Sequence, residues 1–486
     1  MSTIQALGLI GLITLVASTV ARAQAQPEPP EPQEISPKTP GVRWVAPIGH
    51  RTGQFAVDAK YAVVGTNEVV YAQDGSIESV REGGTLVCFD RATGKRLWHR
   101  DHPWREGSGR QMFGIQSTPT IADDQVYYLS NRGEFVCLKV ADGELVWSID
   151  MVADLGVSFS PDWALSNKFC TPLVHGDYVY CVTGQGITRA SPPLEKRHLV
   201  AVDKPEPPHF LCVHKRSGRI AWGSSIPGWK ANYSWSSPVL CRVGSDEVIA
   251  FPGGDGVLYF FEPTTGRLRS RHDLNPPGVT EWHSFTIPGK DARLFFAAEP
   301  LVVGDTLYIG TAQTMYDYPE NAPLAALDLG RVLRGEPKVE RWRIDPAKFG
   351  WLRIRPVVSK TRLFLLDDDT GELLAVDPKD GAIRGRREVL EMTCGPFGSL
   401  NLLGDELFLA SGAGLSVYSA DDRLELLRRY EFEGSDDHPG GYVIGPLVVS
   451  GDELFTATDA GVFAMNHSVV AKKAPAANRS SESPPR

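Results

Sequence analysis

The sequence predicts an all-β chain: a single eight-bladed β-propeller of four-stranded antiparallel blades, closed by an N-terminal strand. Two periodic signals carry that reading. An eleven-residue segment with a glycine turn recurs along the chain, in its complete form ending on tryptophan. A dipeptide ending in proline recurs ahead of six short β-rich pairs. Self-similarity at a period of roughly 45 residues, four strands to the unit, is the mark of a propeller blade.

The first signal is clearest in Cys88–Trp98, Cys137–Trp147 and Cys212–Trp222, with glycines at 94, 143 and 218. Phe260–Ser270 and Ala375–Gly385 keep the turn, at Gly266 and Gly381, and lose the tryptophan. Ala326–Asp328 opens another copy, with an insertion before Trp342; Leu415–Leu427 is degenerate, and Gly461–Asn466 is truncated. Asp90, Asp328 and Asp377 end third strands, where a carboxylate can accept hydrogen bonds from turn N–H groups, and glycine supplies the positive φ. The tryptophan on the fourth strand, large and with one N–H to satisfy, suits docking into the adjacent blade.

The second signal is Thr118-Pro119, Thr171-Pro172, Ser237-Pro238, Glu299-Pro300, Arg355-Pro356 and Gly445-Pro446. Each precedes two short β-rich runs split by a polar turn, which is hairpin chemistry. A unit therefore reads hairpin, loop, strand, turn, strand. The truncated last copy lacks its fourth strand, and Gly41–Pro47, with Trp44, has the look of one. Ring closure through that segment brings the count to eight.

Residues 1–23 read as a secretory signal peptide, with an apolar run over Ile4–Ala21 and small-x-small cleavage patterns after it. An uncleaved anchor is the alternative. Residues 24–40, dense in Pro, Gln and Glu, predict an extended, solvated linker; 41–470 form the propeller and 471–486 a disordered tail. No segment of the mature chain is long and apolar enough to span a bilayer. The net charge of −9 argues against a nucleic-acid partner, which would favour a basic face.

Seven cysteines at irregular spacing make neither a disulfide framework nor a CxxC metal site. Cys170 and Cys181 flank the turn at Gly176-Asp177, so a disulfide across that hairpin is open. Metal-compatible groupings at Glu281 and His283, at Asp436–His438 and at Asp367–Asp369 lack the spacing of a known site. No GxSxG, P-loop or HExxH occurs.

The pattern Ala-x-Asp-x-x-x-Gly-Lys-x-x-Trp, from which Cys88–Trp98 departs only in having Cys for Ala, resembles the tryptophan-docking motif of the pyrroloquinoline quinone (PQQ)-like propeller repeat family. The resemblance covers about Gly41 to Asn466. It implies one of two functional kinds. One is a non-catalytic propeller of the BamB type, working in the cell envelope on other envelope proteins or on a small ligand, with no cofactor. The other is a quinoprotein dehydrogenase of alcohols or sugars, which holds PQQ with Ca²⁺ at the ring centre, stacked on a disulfide between adjacent cysteines. No two cysteines are adjacent in this sequence. The resemblance therefore implies the first kind, exported to the periplasm or beyond, with PQQ and Ca²⁺ as the rival expectation.

Two places are candidate sites. One is the loops, where three insertions occur at Gln185–His209, His272–Arg293 and Thr314–Ala322, each a binding loop or a tolerated insertion. The other is the central funnel, toward which Gln116, Lys168, Trp235, Glu299, Arg353 and Arg355 are expected to point. Their mixed charge suits a small anion or ordered water.

Overall fold

The computed structural model describes residues 29–49, 53–72, 77–105, 114–157, 170–185, 207–226, 236–279, 296–311, 324–344, 349–350, 352–367, 370–389, 398–434, 443, 445–458 and 461–471. The strands form eight sheets, each with four antiparallel strands that follow chain order in blades 1 to 7, while blade 8 takes its fourth strand from the N-terminal segment. Blade 1 is Phe55–Val57, Tyr61–Tyr71, Ile77–Asp90 and Arg96–Pro103. Blade 2 is Thr120–Ala122, Gln125–Leu129, Glu134–Lys139 and Leu145–Asp150, and blade 3 is Leu173–His175, Tyr178–Val182, Phe210–His214 and Ile220–Ser224. Blade 4 is Val239–Val243, Asp246–Pro252, Val257–Phe261 and Leu268–Asp273, and blade 5 is Leu301–Val303, Thr306–Gly310, Leu324–Asp328 and Glu340–Ile344. Blade 6 is Val357–Val358, Leu363–Asp367, Glu372–Val376 and Ile383–Glu388, and blade 7 is Ser399–Leu403, Glu406–Ser411, Gly414–Ser419 and Leu426–Phe432. Blade 8 is Val448–Ser450, Glu453–Thr458 and Gly461–Asn466, completed by Val42–Ala46.

That last strand closes the ring as the sequence predicts. Trp44 stands opposite Ala464, and Ala46 opposite Val462. The strand before it is a departure. Gln33–Ile35, assigned by composition to a solvated linker, pairs in parallel with Tyr430–Phe432 at the outer edge of blade 7. Ile35 is buried there among Phe408, Tyr430 and Phe432. One aliphatic side chain in an otherwise polar stretch suffices, because an outer blade edge offers unpaired N–H and C=O groups to any extended segment.

Each third strand is buried on both faces, since its alternating side chains enter different seams. Leu86 and Cys88 pack with Val126, Tyr128 and Val136 of blade 2, while Val87 and Phe89 pack with Trp44 and Phe455 of blade 8. The core is thus a series of seams between blades.

The tryptophans seal these seams. Trp44, Trp98, Trp147, Trp222 and Trp342 each donate Nε1–H to a carbonyl of the following blade, on Arg91, Val140, Lys215, Pro263 and Pro378, at 2.8–2.9 Å. Each ring also lies on the turn glycine of that blade. A Cβ built on Gly94, Gly143, Gly218, Gly266 or Gly381 would fall 2.5–2.8 Å from a ring carbon of the incoming tryptophan. All five glycines have φ between +66° and +75° and donate N–H to the carbonyl four residues earlier. Space and backbone conformation both demand glycine.

At the three remaining seams the fourth-strand position is Ser270, Gly385 or Arg428, and the following blade has no such glycine turn. Asp328 ends its third strand, and the insertion before Trp342 follows it in place of a glycine turn. Its carboxylate instead caps the short helix Leu329–Leu333, accepting from Arg331 N at 3.0 Å. Val332 and Leu333 of that helix pack with Leu258 and Phe260 of blade 4, filling the space beside Ser270. At Gly385 the backbone of Asp422 comes so near that a Cβ would sit 2.1 Å from its carbonyl oxygen. Arg362 joins the same two blades through Asp422 at 2.7 Å. Arg428 takes over the donor role: its Nε donates to the Val470 carbonyl at 3.1 Å, and Glu406 neutralises its guanidinium. Asp90 and Asp377 act as turn acceptors, from Thr93 N at 2.8 Å and Lys379 N at 3.0 Å.

Carboxylate–imidazole pairs also cross seams. His102 Nδ1 lies 2.9 Å from Glu134, His175 Nε2 2.8 Å from Glu247, and His272 Nε2 2.9 Å from Glu340. Burial alone would raise Glu134 and Glu340. The opposing imidazoles, with hydrogen bonds from Ser130 and Arg132 in one case and Arg343 in the other, outweigh it and hold both carboxyls at about 2.

Trp98→Ala or Trp147→Ala is expected to cost ~3–5 kcal/mol in denaturant unfolding. In a double-mutant cycle Gly143→Ala should cost much less in the Trp98→Ala background than alone; full additivity would show that ring and glycine do not meet. The carboxyls of Glu134 and Glu340 titrate lower in the folded chain than the unfolded value of 4.5. Their contribution, on the order of 1–2 kcal/mol each, is complete above that value and is lost as the pH falls toward about 2. Urea midpoints measured from pH 7 to pH 3 should therefore fall less steeply for Glu134→Gln than for the wild type.

Candidate functional site

Antiparallel order gives the ring two unlike faces. In every blade the first–second and third–fourth connections share one face, and the second–third and blade-to-blade connections share the other. The first face is closed by tight turns such as Asp123-Asp124 and Gly176-Asp177. The chain leaves for all three insertions from the second. Gln185–His209 joins the second and third strands of blade 3, Thr314–Ala322 those of blade 5, and His272–Arg293 joins blade 4 to blade 5. Residues 186–206, 280–295 and 312–323 lie outside the described residues.

The described rim of that face is polar. His102 bridges Glu134 and, through Nε2 at 2.7 Å, the buried Tyr128 hydroxyl. Arg105 grips Asp150 in a two-pronged fork at 2.7–3.0 Å, and Tyr259 Oη donates to Asp255 at 2.6 Å. His209 accepts from Ile226 N, and burial lowers its imidazole to about 4, so it is neutral at pH 7.

At the ring axis a cavity of about 270 Å³ is lined by residues at or near the first strands. Glu299, Arg353 and Arg355 line it, with Gln54, Thr171, Ser237, Ser399 and Asn401. Glu299 and Arg355 each stand immediately before a proline, two residues ahead of the innermost strand of their blade, and Arg353 lies two residues earlier still. Gln116 is buried but is not among the cavity-lining residues; Gly53 packs against its backbone. Lys168 and Trp235 lie outside the described residues. The sequence reading missed Gln54, Ser399 and Asn401, since blades 1 and 7 have no proline at that point to mark them.

Glu299 is the one carboxylate among the described cavity-lining residues. Burial raises its pKa, partly offset by Arg355, whose Nη1 lies 3.7 Å away. Cross-seam hydrogen bonds hold the wall: Thr171 N donates to Ser237 Oγ at 2.9 Å, Ser236 Oγ to Ala298 O at 2.7 Å, and Asn401 Nδ2 to Leu447 O at 3.0 Å. A larger groove of about 710 Å³ runs along the rim beside Gly381–Arg386, but there Arg343, Arg384 and Arg386 already have acidic partners in Glu340, Asp380 and Glu372.

The described lining of the cavity does not fit PQQ with Ca²⁺. A hard cation takes six to eight oxygens with carboxylates prominent, whereas the described wall offers one carboxylate beside two guanidiniums. Among the described residues no group of three or more His, Cys, Asp or Glu side chains is placed to hold a metal. Cys170 and Cys181, between which the sequence left a disulfide open, are free, buried thiols. The hairpin register pairs Leu173 with Tyr180, which carries Cys170 past Cys181 to the level of Thr183. Burial pushes the Cys170 thiol up to about 12, as it does Cys137 and Cys212. The Asp436–His438 and Glu281–His283 groupings, Asp368, Asp369 and Cys394 lie outside the described residues, while Asp367 is buried and accepts from Gly350 N. No described helix is long and apolar enough to cross a membrane.

No curated protein matches the sequence. Among solved structures, BamB from Moraxella catarrhalis aligns at 13% identity over 85% of this chain and 92% of its own, with a TM-score of 0.52. A computationally designed protein, Ika8, aligns at 11% identity over 88% and 99%, TM-score 0.49. A europium-containing methanol dehydrogenase aligns at 14% identity over 78% and 83%, TM-score 0.45. At these identities the likeness is one of fold. Residues 82–206 match the family model described as outer membrane protein assembly factor BamB. Those residues take in Gly94, Trp98, Gly143 and Trp147, so the chain resembles the PQQ-like propeller repeat family through its BamB-type members, in motif and in fold.

Proposed function

We propose that the protein is an exported, non-catalytic propeller that binds other envelope proteins, or a small ligand, from its loop-bearing face. The observation that carries this reading is the match of residues 82–206 to the BamB family model, a family named for outer-membrane protein assembly. The architecture supports it: five tryptophan seams and a closing strand make a rigid ring, and all three insertions leave from one face of it. Rigid scaffolds with long loops on one side are a common arrangement for binding. The cell envelope is the compartment this reading requires, and residues 1–23 are the export signal it relies on. A quinoprotein dehydrogenase is the weaker reading, because the described funnel wall offers neither adjacent cysteines nor a carboxylate-rich cation site.

The test is co-purification from cross-linked envelope membranes with the intact chain and with a variant whose residues 186–206 are replaced by a short Gly/Ser linker. A defined membrane partner should be recovered with the intact chain and lost with the variant at an unchanged melting temperature. Equal recovery by both would remove that loop from the binding face. Dye-linked oxidation of alcohols or sugars after incubation with PQQ and Ca²⁺ would overturn the non-catalytic reading.

A further inference from the structure

We propose that the central funnel is a binding site for a small oxyanion, a carboxylate or phosphate group received by Arg355 of blade 6. This goes beyond the scaffold reading and stands without it. The charged groups of the described wall, Glu299, Arg353 and Arg355, all come from blades 5 and 6. The pairing of Arg355 with Glu299 is slack, a single approach of 3.7 Å, where Arg105 and Asp150 make a fork at 2.7–3.0 Å. Among the described residues Glu299 is the one acid that Arg355 meets, and its side chain is 51% exposed to the funnel. A guanidinium presents a planar fork of donors that matches carboxylate and phosphate oxygens, and those donors stay available to an incoming anion.

The cavity is also built before any ligand arrives. Thr171 to Ser237, Ser236 to Ala298 and Asn401 to Leu447 are bonds between neighbouring blades, so the polar wall is fixed by the ring itself. Preformed geometry spares the ordering cost that weakens binding to a floppy site. At about 270 Å³ the volume is just below the ~300–1,000 Å³ of pockets that hold drug-sized ligands, which selects a small acid. Glu299 sets the charge. Ionised, it competes with the ligand for Arg355; protonated, it becomes a donor. Burial favours the protonated form. Among the described residues the groups that interact with it are Arg355 of blade 6 and the Cys170 thiol ahead of blade 3.

The test is isothermal titration of the full mature chain with succinate, with inorganic phosphate and with the neutral analogue succinamide. Succinate or phosphate should bind with a Kd of about 1 mM or tighter, succinamide not at all. Binding of succinate alone assigns an organic acid, and of phosphate alone a phosphate group. Arg355→Gln should weaken the bound anion at least tenfold, and Glu299→Gln should tighten it severalfold, with melting curves checking that both variants fold. The opposite signs guard against damage to the ring, since a misfolded funnel loses affinity in both. No heat from either anion, equal binding of succinamide, or an affinity unmoved by both substitutions would overturn the proposal.

Discussion

Everything in this molecule depends on how one blade fastens to the next. A four-stranded sheet of some 45 residues cannot bury two apolar faces alone, so each blade is stable only inside the ring. The fastening is a tryptophan of one blade laid on a glycine of the next, with the indole N–H on a carbonyl of the same turn. That joint is steric as much as attractive. A Cβ on Gly94 or Gly266 would come within 2.5 Å of the incoming ring, so the glycine is a vacancy shaped for the indole. Five seams use the joint whole, and the other three have lost both halves together.

The loss in pairs has a physical reason. If Ser270 replaced a tryptophan while blade 5 kept a glycine turn, a hollow the size of an indole would remain, and cavities of that size are costly. The helix Leu329–Leu333 fills the hollow instead. At Gly385 the hollow is closed by bringing the blade 7 turn inward until the backbones nearly touch. Arg428 keeps the hydrogen bond of the indole, to Val470, and Glu406 balances the charge it brings. The three solutions differ because only the volume and the donor must be conserved, and neither dictates a residue type.

These joints explain which parts of the fold were legible. Tryptophan, glycine and the eleven-residue spacing are visible in sequence because each is irreplaceable where it occurs, and the eight-blade count and the closing role of Gly41–Pro47 followed. The spacing also misleads. Trp98 and Gly94 lie in one segment yet serve different seams: Gly94 receives Trp44, and Trp98 goes to Gly143. Phe260–Ser270 keeps its turn after losing its tryptophan because Gly266 answers to Trp222 of the blade before. Arg428 and Gln33–Ile35 left no signal, since one replaces a shape by a charge and the other is three residues with a single buried side chain. In the funnel, Glu299, Arg353 and Arg355 were readable from their prolines, while Gln54 and Asn401 needed the ring to bring them near.

The same construction bears on function. A ring held by local joints tolerates unlike sequences between them, so blades 5 to 7 can depart from the motif without loosening the axis. The departures meet there: Glu299, Arg353 and Arg355 come from blades 5 and 6, beside two of the three seams that have given up the tryptophan. The regular blades 1 to 3, in contrast, carry complete motifs and, in blade 3, the insertion after Gln185. Chain regularity and site chemistry are thus divided around the ring. The regular side carries one insertion and the irregular side the other two, and the charges of the described funnel wall come from blades 5 and 6. Arg355 lies two residues before the first strand of blade 6, and the complete Trp342–Gly381 joint fastens that blade to blade 5, ahead of which Glu299 stands. Glu299 and Arg355 therefore stand on two blades joined by a complete tryptophan–glycine seam, and the ring sets their separation before any ligand arrives.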